Sequence, residues 1–500
     1  MHTGAEVLVE RDPMIKQAVI IAAGAGSRLN GHSDLPKPLV PIAGVGLLKR
    51  TLLTAERAGI DLFVIVTGYR SEEIRAAIDG DAQVTAHVEW VENSDWRKGN
   101  GLSVLAAKPF VNDQPFILTM ADHLFDPEVF VTMQNTPLGS GECSLGVDYR
   151  IDQVFDIDDA TKVREQGGQI DAIGKTLTDY NAIDTGVFSC SPSLFDALEL
   201  AVARGEDSLS AGIQELSASG RMRTSDIGDS FWTDVDTPEA HRFAEDALIS
   251  ALGKPTDGFV SKHFNRKVST RISRVLVKTP LTPNHISLLA MGISFLAAYL
   301  IADPSYLSLA IGGLLFQFAS IVDGCDGEVA KLKFRGSNLG EWVDTVADNV
   351  SYLVFFVAIV VGMYRHTGDP NLLTLSFFVI VSLAVALSLV FVYLRLSGSG
   401  SIVSFYETFL EEVPRERRGW FHRVSDRFKF ASRRDFFAAV FALLAVMGAR
   451  TTMFWIFAVG SSLITLSILI YTGHLMRSRG FWPSRRVTPV ESELVSEKAD

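Results

Sequence analysis

Four aspartates are concentrated in one stretch of the chain, beside some of its most apolar sequence. Asp323 and Asp326 are three residues apart, which is the spacing of neighbours on one face of a helix. Asp344 and Asp348 are four residues apart and so share a face of a second helix. Two such helices side by side would bring four carboxylates together, and these repel one another unless cations lie among them. The stretch therefore predicts bound Mg²⁺, with Mn²⁺ as the alternative, and a pair of bridged metals suits a diphosphate substrate.

The glycines of the same stretch leave room for a ligand between the two helices. Gly327 follows Asp326 directly, and Gly340 lies one helical turn before Asp344. One of the carboxylates can act as the general base for an incoming hydroxyl group. Carboxylates at the depth of a membrane are costly, which marks them as functional groups. The stretch therefore predicts a catalytic centre rather than a row of solvated helix ends.

The spacing resembles the signature of the CDP-alcohol phosphotransferase family. In that family Asp-x-x-Asp-Gly-x-x-Ala-Arg is followed, after a short gap, by Gly-x-x-x-Asp-x-x-x-Asp. The chain matches at Asp323, Asp326, Gly327, Ala330, Gly340, Asp344 and Asp348. It departs at Lys331, where the family has arginine, and so lacks the planar fork that arginine offers to a phosphate.

The resemblance implies a role for each matching residue. Asp323, Asp326 and Asp344 would bind the metals, and Asp348 would complete the metal cluster and act as the base. The contacts to the CDP-linked donor would come from Gly327, Ala330, Lys331 and Gly340. The family transfers a substituted phosphate from that donor to an alcohol and releases CMP.

Two further segments resemble the same family. They are Thr279–Asn284, which precedes the apolar segment 285–302, and Arg433–Asp435, which precedes the apolar segment 436–449. The resemblance implies that Arg433 and Arg434 bind the phosphate of the acceptor. The alternative is that these arginines only anchor the chain on the cytoplasmic side of a membrane.

A second candidate site lies near the start of the chain, where the glycine-rich turn AAGAGSRL follows a buried strand. The turn fails the spacing of a dinucleotide fingerprint, because Leu29 occupies the position of the third glycine. Arg28 in the turn and Lys37 in the following LPKPLVPIAG instead indicate a backbone and cationic cradle for a nucleoside triphosphate.

This combination resembles the NTP-transferase family that makes nucleotide-activated sugars and polyols. By that resemblance, the nucleotide-binding residues are Gly24, Gly26, Arg28, Lys37 and Asp122. Asp122 also matches the metal-binding aspartate of the family, and Asp234 and Asp236 are candidates for the second metal ligand, with Asp234 favoured. Lys175 matches a lysine that contacts the sugar phosphate, so Lys37 and Lys175 are predicted to be catalytic. The implied chemistry is in-line attack by a substrate phosphate on the α-phosphorus, with release of pyrophosphate.

The segments NSDWRKGNGLS and YNAIDTGVF resemble the subgroup that activates inositol 1-phosphate with CTP. The fusion as a whole resembles the family of bifunctional inositol-1-phosphate cytidylyltransferases and di-inositol-phosphate-phosphate synthases. It implies that CTP and inositol 1-phosphate give CDP-inositol, from which phosphoinositol passes to a second inositol 1-phosphate. The first alternative is a lipid alcohol as the acceptor. A second is a membrane transporter regulated by a nucleotide-binding domain, against which the four-aspartate signature argues. A third is a degenerate nucleotide-binding module in the first half, against which Arg28, Lys37, Asp122 and Lys175 argue.

The elements that would position these residues differ between the two halves. Residues 1–250 alternate strand-like and helix-like segments, which predicts an α/β nucleotidyltransferase domain with a Rossmann-like mixed sheet. Residues 251–284 contain a linker and a basic amphipathic segment typical of a helix on a membrane surface. Residues 285–476 are predicted to form an all-α domain of six transmembrane helices, and residues 477–500 a disordered cytoplasmic tail. The six segments are 285–302, 306–323, 343–364, 371–395, 436–449 and 452–474.

Lysine and arginine crowd the connections on one side of these six segments. This bias predicts a multi-pass protein of the cell membrane with both termini in the cytoplasm, and the polar N-terminus lacks the features of a signal peptide. The net charge of −12 argues against a nucleic-acid partner. The three cysteines have no metal-type spacing. A homodimer through the third and fourth membrane segments is a further expectation.

Overall fold

A computed structural model of the 500-residue chain describes residues 15–29, 34–253, 258–397 and 434–478. The chain divides into two compact units, residues 1–250 and residues 251–500. The first unit combines strands and helices, whereas the described part of the second unit is helical.

The predicted mixed α/β sheet of the first unit is confirmed. Its described strands are β1 (Gln17–Ala22), β2 (Pro41–Ile42), β3 (Val45–Gly46), β4 (Leu62–Thr67), β5 (His87–Glu92), β6 (Phe116–Met120), β7 (His123–Phe125), β8 (Cys143–Asp148), β9 (Lys162–Gln166), β10 (Gln169–Gly174), β11 (Ala182–Cys190), β12 (Met222–Asp226) and β13 (Trp232–Asp234). Nine of them form one sheet in the order β5-β4-β1-β6-β11-β8-β12-β10-β9. β1 runs parallel to β4 and β6, whereas β11 runs antiparallel to β6 and β8.

Helices cover both faces of this sheet. The described α-helices of the first unit are α1 (Leu47–Arg57), α2 (Ser71–Asp79), α3 (Asn100–Ala106), α4 (Pro127–Gln134), α5 (Ser193–Ala203), α6 (Leu209–Ala218) and α7 (Pro238–Ser250). Every residue of β1 is buried. Val19 and Ile21 belong to one apolar cluster, and Ala18 and Ile20 to another. Successive side chains of a strand point to opposite faces, so β1 contributes to a separate core on each side of the sheet.

The carboxyl ends of β1 and β6 bring two predicted site segments together. These strands are parallel neighbours with Ile21 opposite Met120, so the glycine-rich turn and Asp122 leave the sheet at the same edge. β13 pairs antiparallel with β7, which places Asp234 opposite His123. Residues that are distant in the sequence therefore converge at one edge of the sheet.

The second unit is a bundle of helices around a core of aromatic residues. Its described α-helices are α8 (Arg266–Leu276), α9 (Pro283–Ile301), α10 (Tyr306–Leu332), α11 (Asn338–Thr367), α12 (Asn371–Ser397), α13 (Arg434–Val446) and α14 (Arg450–Ser478). Phe316 stacks on Phe355 with ring centroids 3.8 Å apart, and Phe441 meets Phe355 edge to face at 5.6 Å. All three are fully buried, so aromatic packing holds α10, α11 and α13 together.

Five of the described helices, α9, α10, α11, α12 and α14, are long and apolar enough to cross a membrane. The predicted count of six is not confirmed. The predicted segment 436–449 corresponds to α13, which has 13 described residues. A bilayer core requires about 20 residues of helix, so the described part of α13 is too short to count as a span.

The acidic stretch lies within two of these helices. α10 has 27 residues and continues to Leu332, past the apolar segment predicted at 306–323, so Asp323 and Asp326 are inside one helix, which their spacing predicted. α11 begins at Asn338, where the Ser337 hydroxyl accepts the backbone N–H of Gly340. The second pair of aspartates therefore lies in the first three turns of α11.

Candidate active sites

The glycine-rich turn after β1 is shaped around the side chain of Lys37. Gly26 has a φ of +61°, a left-handed conformation that favours glycine. A Cβ atom at this position would also lie 2.8 Å from Cδ of Lys37. An added Cβ at Gly24 would meet nothing within 4 Å. Local geometry therefore requires a glycine at position 26, whereas nothing in the packing requires a glycine at position 24.

Lys37 and Asp122 form a charged pair at the edge of the sheet. The Lys37 side chain is 8% exposed, and its Nζ donates to Asp122 at 2.6 Å and also to Asp236. Burial would lower the pKa of Lys37, but the two carboxylates outweigh burial and raise that pKa. Burial likewise would raise the pKa of Asp122, but Lys37 and a hydrogen bond with Nδ1 of His123 at 2.7 Å bring it well below its usual range. Both members of the pair are therefore charged at neutral pH.

Asp159, which the sequence analysis missed, links the two remaining cations of the site. Arg28 donates to Asp159 at 2.8 Å and also to Asp236. Lys175 donates to the other oxygen of Asp159 at 3.0 Å. The hydrogen bond from Arg28 lowers the pKa of Asp159 and raises the pKa of Arg28. Asp159 lies in a loop with several other acidic residues, so no spacing in the sequence distinguishes it.

Three carboxylates of this site are close enough to hold a divalent cation. One oxygen each of Asp159, Asp234 and Asp236 lies within 4.8 Å of the other two. Burial raises the pKa of Asp234, and the neighbouring Asp236 and Asp122 add to the increase. A hard cation with oxygen ligands relieves such crowding, so these residues fit the predicted metal. Asp122, the other predicted ligand, contacts Lys37 and His123 instead.

Two cavities open beside these groups, and Asp236 lines both. The first, of about 310 Å³, is lined by the glycine-rich turn together with Arg28 and Lys37. The second, of about 460 Å³, is lined by Lys175 and by acidic side chains that include Asp184. The site therefore offers a cationic cradle beside a cavity that carries both cations and carboxylates.

The wall of the second cavity contains a hydrogen-bonded cluster that the sequence analysis also missed. Asp148 accepts from Nε of Arg150 at 3.0 Å and from Nη2 of Arg150 at 2.9 Å. It also accepts from the indole of Trp232 at 2.8 Å. Asp184 lies on the neighbouring strand, where burial raises its pKa to about 6. In the sequence, Asp148 is marked only by its position at the end of β8, whereas Asp184 lies within the segment YNAIDTGVF, whose resemblance assigns it no individual role.

The second unit contains its own cluster of three carboxylates. One oxygen each of Asp323, Asp326 and Asp344 lies within 4.8 Å of the other two. α10 supplies the first two, and α11 supplies the third. All three are partly buried, and like charges at this separation call for a cation. The predicted Mg²⁺ or Mn²⁺ therefore fits these three residues.

Asp348 is placed differently from the other three aspartates. Nη1 of Arg434 lies 2.6 Å from Oδ1 of Asp323 and also contacts Asp348. All three side chains are at most one quarter exposed. The structure thus pairs the predicted base with one of the predicted acceptor-binding arginines. The other, Arg433, lies outside the described residues.

The four residues predicted to contact the CDP-linked donor differ in their surroundings. A Cβ added at Gly327 would meet nothing within 4 Å, so there is open space beside it. A Cβ at Gly340 would lie 3.4 Å from Oδ1 of Asn284, close to the start of α9. Ala330 is half-buried, whereas Lys331 is exposed and donates to a backbone carbonyl at 2.8 Å. Of the two glycines, only Gly340 is limited by a neighbouring helix.

Both halves of the chain match known families. The MobA-like NTP transferase domain family matches residues 18–142, and the CDP-alcohol phosphatidyltransferase family matches residues 280–460. The Bifunctional IPC transferase and DIPP synthase of Archaeoglobus fulgidus is 36% identical over 370 residues, which cover 74% of this chain and 70% of that protein. The chain belongs to this bifunctional family. The two transferase domains predicted from the sequence are thereby confirmed.

Two further similarities concern a relative and a solved structure. The Bifunctional IPC transferase and DIPP synthase of Rubrobacter xylanophilus is 36% identical over 336 residues, which cover 66% of this chain and 74% of that protein. The structure of the inositol-1-phosphate CTP transferase from T. maritima is 26% identical, with a TM-score of 0.43. It covers 47% of this chain and 96% of that chain.

Proposed function

We propose that the chain is a bifunctional enzyme that makes CDP-inositol and then consumes it. In the first reaction, CTP and inositol 1-phosphate give CDP-inositol and diphosphate. In the second reaction, phosphoinositol passes from CDP-inositol to a second inositol 1-phosphate, and CMP is released. The observation that carries the proposal is that each unit has its own cluster of three carboxylates beside cationic side chains.

In the first reaction, the cations of the first unit exchange their carboxylate partners for phosphate oxygens. Arg28 and Lys37 bind the triphosphate of CTP together with the backbone of the turn at Gly24 and Gly26. Lys175 binds the phosphate of inositol 1-phosphate and directs it at the α-phosphorus. Asp159, Asp234 and Asp236, with Asp122 beside them, would hold a divalent metal, which would supply charge neutralisation for the triphosphate.

In the second reaction, Asp348 accepts the proton of the attacking hydroxyl group. Arg434 holds this carboxylate in the absence of substrate, and the phosphate of the acceptor competes for the same guanidinium. Binding of the acceptor therefore frees Asp348 to act as base. Mg²⁺ or Mn²⁺ at Asp323, Asp326 and Asp344 would stabilise charge on the diphosphate of the donor. The donor contacts are Gly327, Ala330, Lys331 and Gly340.

The second unit is proposed to span the cell membrane six times, with α13 as a short span in addition to the five longer helices, so that both termini lie on the cytoplasmic side. The support is the bias of lysine and arginine towards one side of the apolar segments. A homodimer through α11 and α12 is also proposed, because α12 is the least buried of the five candidate spans. Cross-linking of single cysteines on α12 in native membranes tests this contact.

Phosphorus NMR on the purified full-length chain tests the two reactions. With CTP, Mg²⁺ and inositol 1-phosphate, we expect the wild type to form CDP-inositol, then a phosphodiester and CMP. Asp348→Asn should accumulate CDP-inositol and go no further. Asp369→Asn, a change of an exposed aspartate just after α11, is the control and should behave as the wild type.

Each other outcome changes the proposal in a defined way. If the wild type stops at CDP-inositol until a lipid alcohol is added, the acceptor is a lipid. If no CDP-inositol forms, inositol 1-phosphate is the wrong substrate. If Asp348→Asn still releases CMP at the wild-type rate, Asp348 is not the base.

A further inference from the structure

Ser287 donates a hydrogen bond to one of the three clustered aspartates of the second unit. It lies in the second turn of α9 and is 2% exposed. Its Oγ lies 2.5 Å from Oδ2 of Asp326, and Oδ1 of the same carboxylate accepts the backbone N–H of Gly327 at 2.5 Å. Both oxygens of Asp326 are therefore held, and each keeps a further lone pair for a cation.

Other buried serines of the apolar helices use their hydroxyl groups differently. Ser294, also on α9, donates to the carbonyl four residues before it at 3.0 Å, and Ser351 on α11 does the same at 2.7 Å. Such bonds are the usual outcome for a serine inside a helix. Ser287 has the same option, because the carbonyl of Pro283 lies 3.3 Å away. The shorter contact, however, is the one to Asp326 on α10.

A hydroxyl group can orient a carboxylate without cancelling its charge. Arg434 offsets the charge of Asp323, whereas Ser287 leaves the charge of Asp326 available to a cation. We infer that Ser287 is a positioning residue that fixes the Asp326 carboxylate for divalent-metal binding in the second unit. The metal-positioning role of Ser287 does not depend on the proposed function. Only the use of that metal in the second reaction does.

Binding of Mn²⁺ to the full-length chain tests this role without any substrate. Free Mn²⁺ is measured by electron paramagnetic resonance in the wild type, Asp326→Asn, Ser287→Ala and Ser294→Ala. The part of the Mn²⁺ binding that is lost in Asp326→Asn is the binding component of the second unit. Groups that hold a metal ligand change metal affinity by about 10- to 100-fold, so Ser287→Ala should weaken this component by that factor. Ser294→Ala removes an equally buried hydroxyl of the same helix and should leave it unchanged.

Three results would overturn the inference. They are an unchanged Mn²⁺ affinity in Ser287→Ala, an equal loss in Ser294→Ala, and no component lost in Asp326→Asn. As a second readout, Ser287→Ala should raise the Mg²⁺ concentration for half-maximal CMP release, with CDP-inositol formation by the first unit unchanged. If the wild type releases no CMP, the proposed function fails, but the Mn²⁺ comparison still decides the role of Ser287.

Discussion

Replacement of Lys37 by methionine tests whether charge pairing organises the site of the first unit. Methionine keeps the unbranched stem of the side chain but removes the ammonium group that holds Asp122 and Asp236. Loss of one partner from a buried ion pair costs about 3–5 kcal/mol. Because the two aspartate side chains are 29% and 20% exposed, we expect the lower end, about 3 kcal/mol of unfolding free energy. The melting temperature of the first unit should therefore fall by about 6–12 °C.

Thermal unfolding and cytidylyl transfer are measured on the same full-length variants. Loss of a preorganised donor at a site of developing charge lowers a rate by about 100- to 1,000-fold, and we expect a loss of that size. Lys49→Met is the matched control, because Lys49 is 17% exposed and pairs with Asp81 away from both cavities. It should lower stability but retain transfer. The reasoning is refuted if Lys37→Met keeps the wild-type rate and melting temperature, or if Lys49→Met loses as much activity.

The same pair predicts how stability depends on pH in metal-free protein. The folded-state pKa of Asp122 is lowered, so its contribution is present above the unfolded pKa of about 3.9 and is lost as pH falls through the folded pKa. The folded-state pKa of Lys37 is raised, so its contribution is lost only as pH rises above about 10.4. Lys37→Met should therefore lose less stability than the wild type on acidification below about pH 4. Equal acid sensitivity of the two proteins would contradict this reasoning.

Substitutions at Asp184 and at the two glycines of the turn also have defined outcomes in the first unit. Burial raises the pKa of Asp184 to about 6, so the charged form is disfavoured in the folded state. This cost to folding is absent below about pH 4 and complete above about pH 6. Above pH 6, Asp184→Asn should therefore raise the unfolding free energy measured in urea by up to about 3 kcal/mol. An equal increase at pH 4 would contradict an effect of the charged carboxylate. Gly26→Ala should cost about 1–2 kcal/mol from its left-handed backbone alone, with a further cost from contact with Lys37. Gly24→Ala should keep the wild-type urea midpoint, and equal midpoints for the two glycine variants would remove the steric argument.

Local spacing in the sequence was sufficient to predict part of each site. Asp323 and Asp326 are neighbours on one helix, so three-residue spacing places them together whatever the rest of the chain does. Asp159 and Ser287 carry no such signal. Each meets its partners only because distant segments pack together, and each is a common residue type in an unremarkable local context. A sequence without its fold therefore identifies metal ligands more readily than the groups that hold them.

The fold shows the same division between local and long-range information. Alternating periodicity predicted strands and helices, but it does not encode the insertion of β11 between β6 and β8, which depends on packing between remote segments. Hydropathy located the apolar part of α10, and the helical spacing of Asp323 and Asp326 indicated that the helix continues beyond it. The helix continues to Leu332 because its polar residues are satisfied by neighbouring helices, as Asp326 is by Ser287 and Glu328 by Arg266.

Within each unit, cationic side chains already form ion pairs with carboxylates before any substrate arrives. Lys37 holds Asp122 and Asp236 in the first unit, and Arg434 holds Asp323 and Asp348 in the second. A metal alone would have to share carboxylates of each cluster, Asp159 and Asp236 in the first unit and Asp323 in the second, with cationic side chains, and a phosphate alone would face cations already paired with carboxylates. A metal–phosphate complex offers a partner to both members at once, so no buried charge is left unpaired during the exchange. The pairing therefore favours entry of substrate and metal together over entry of either one alone.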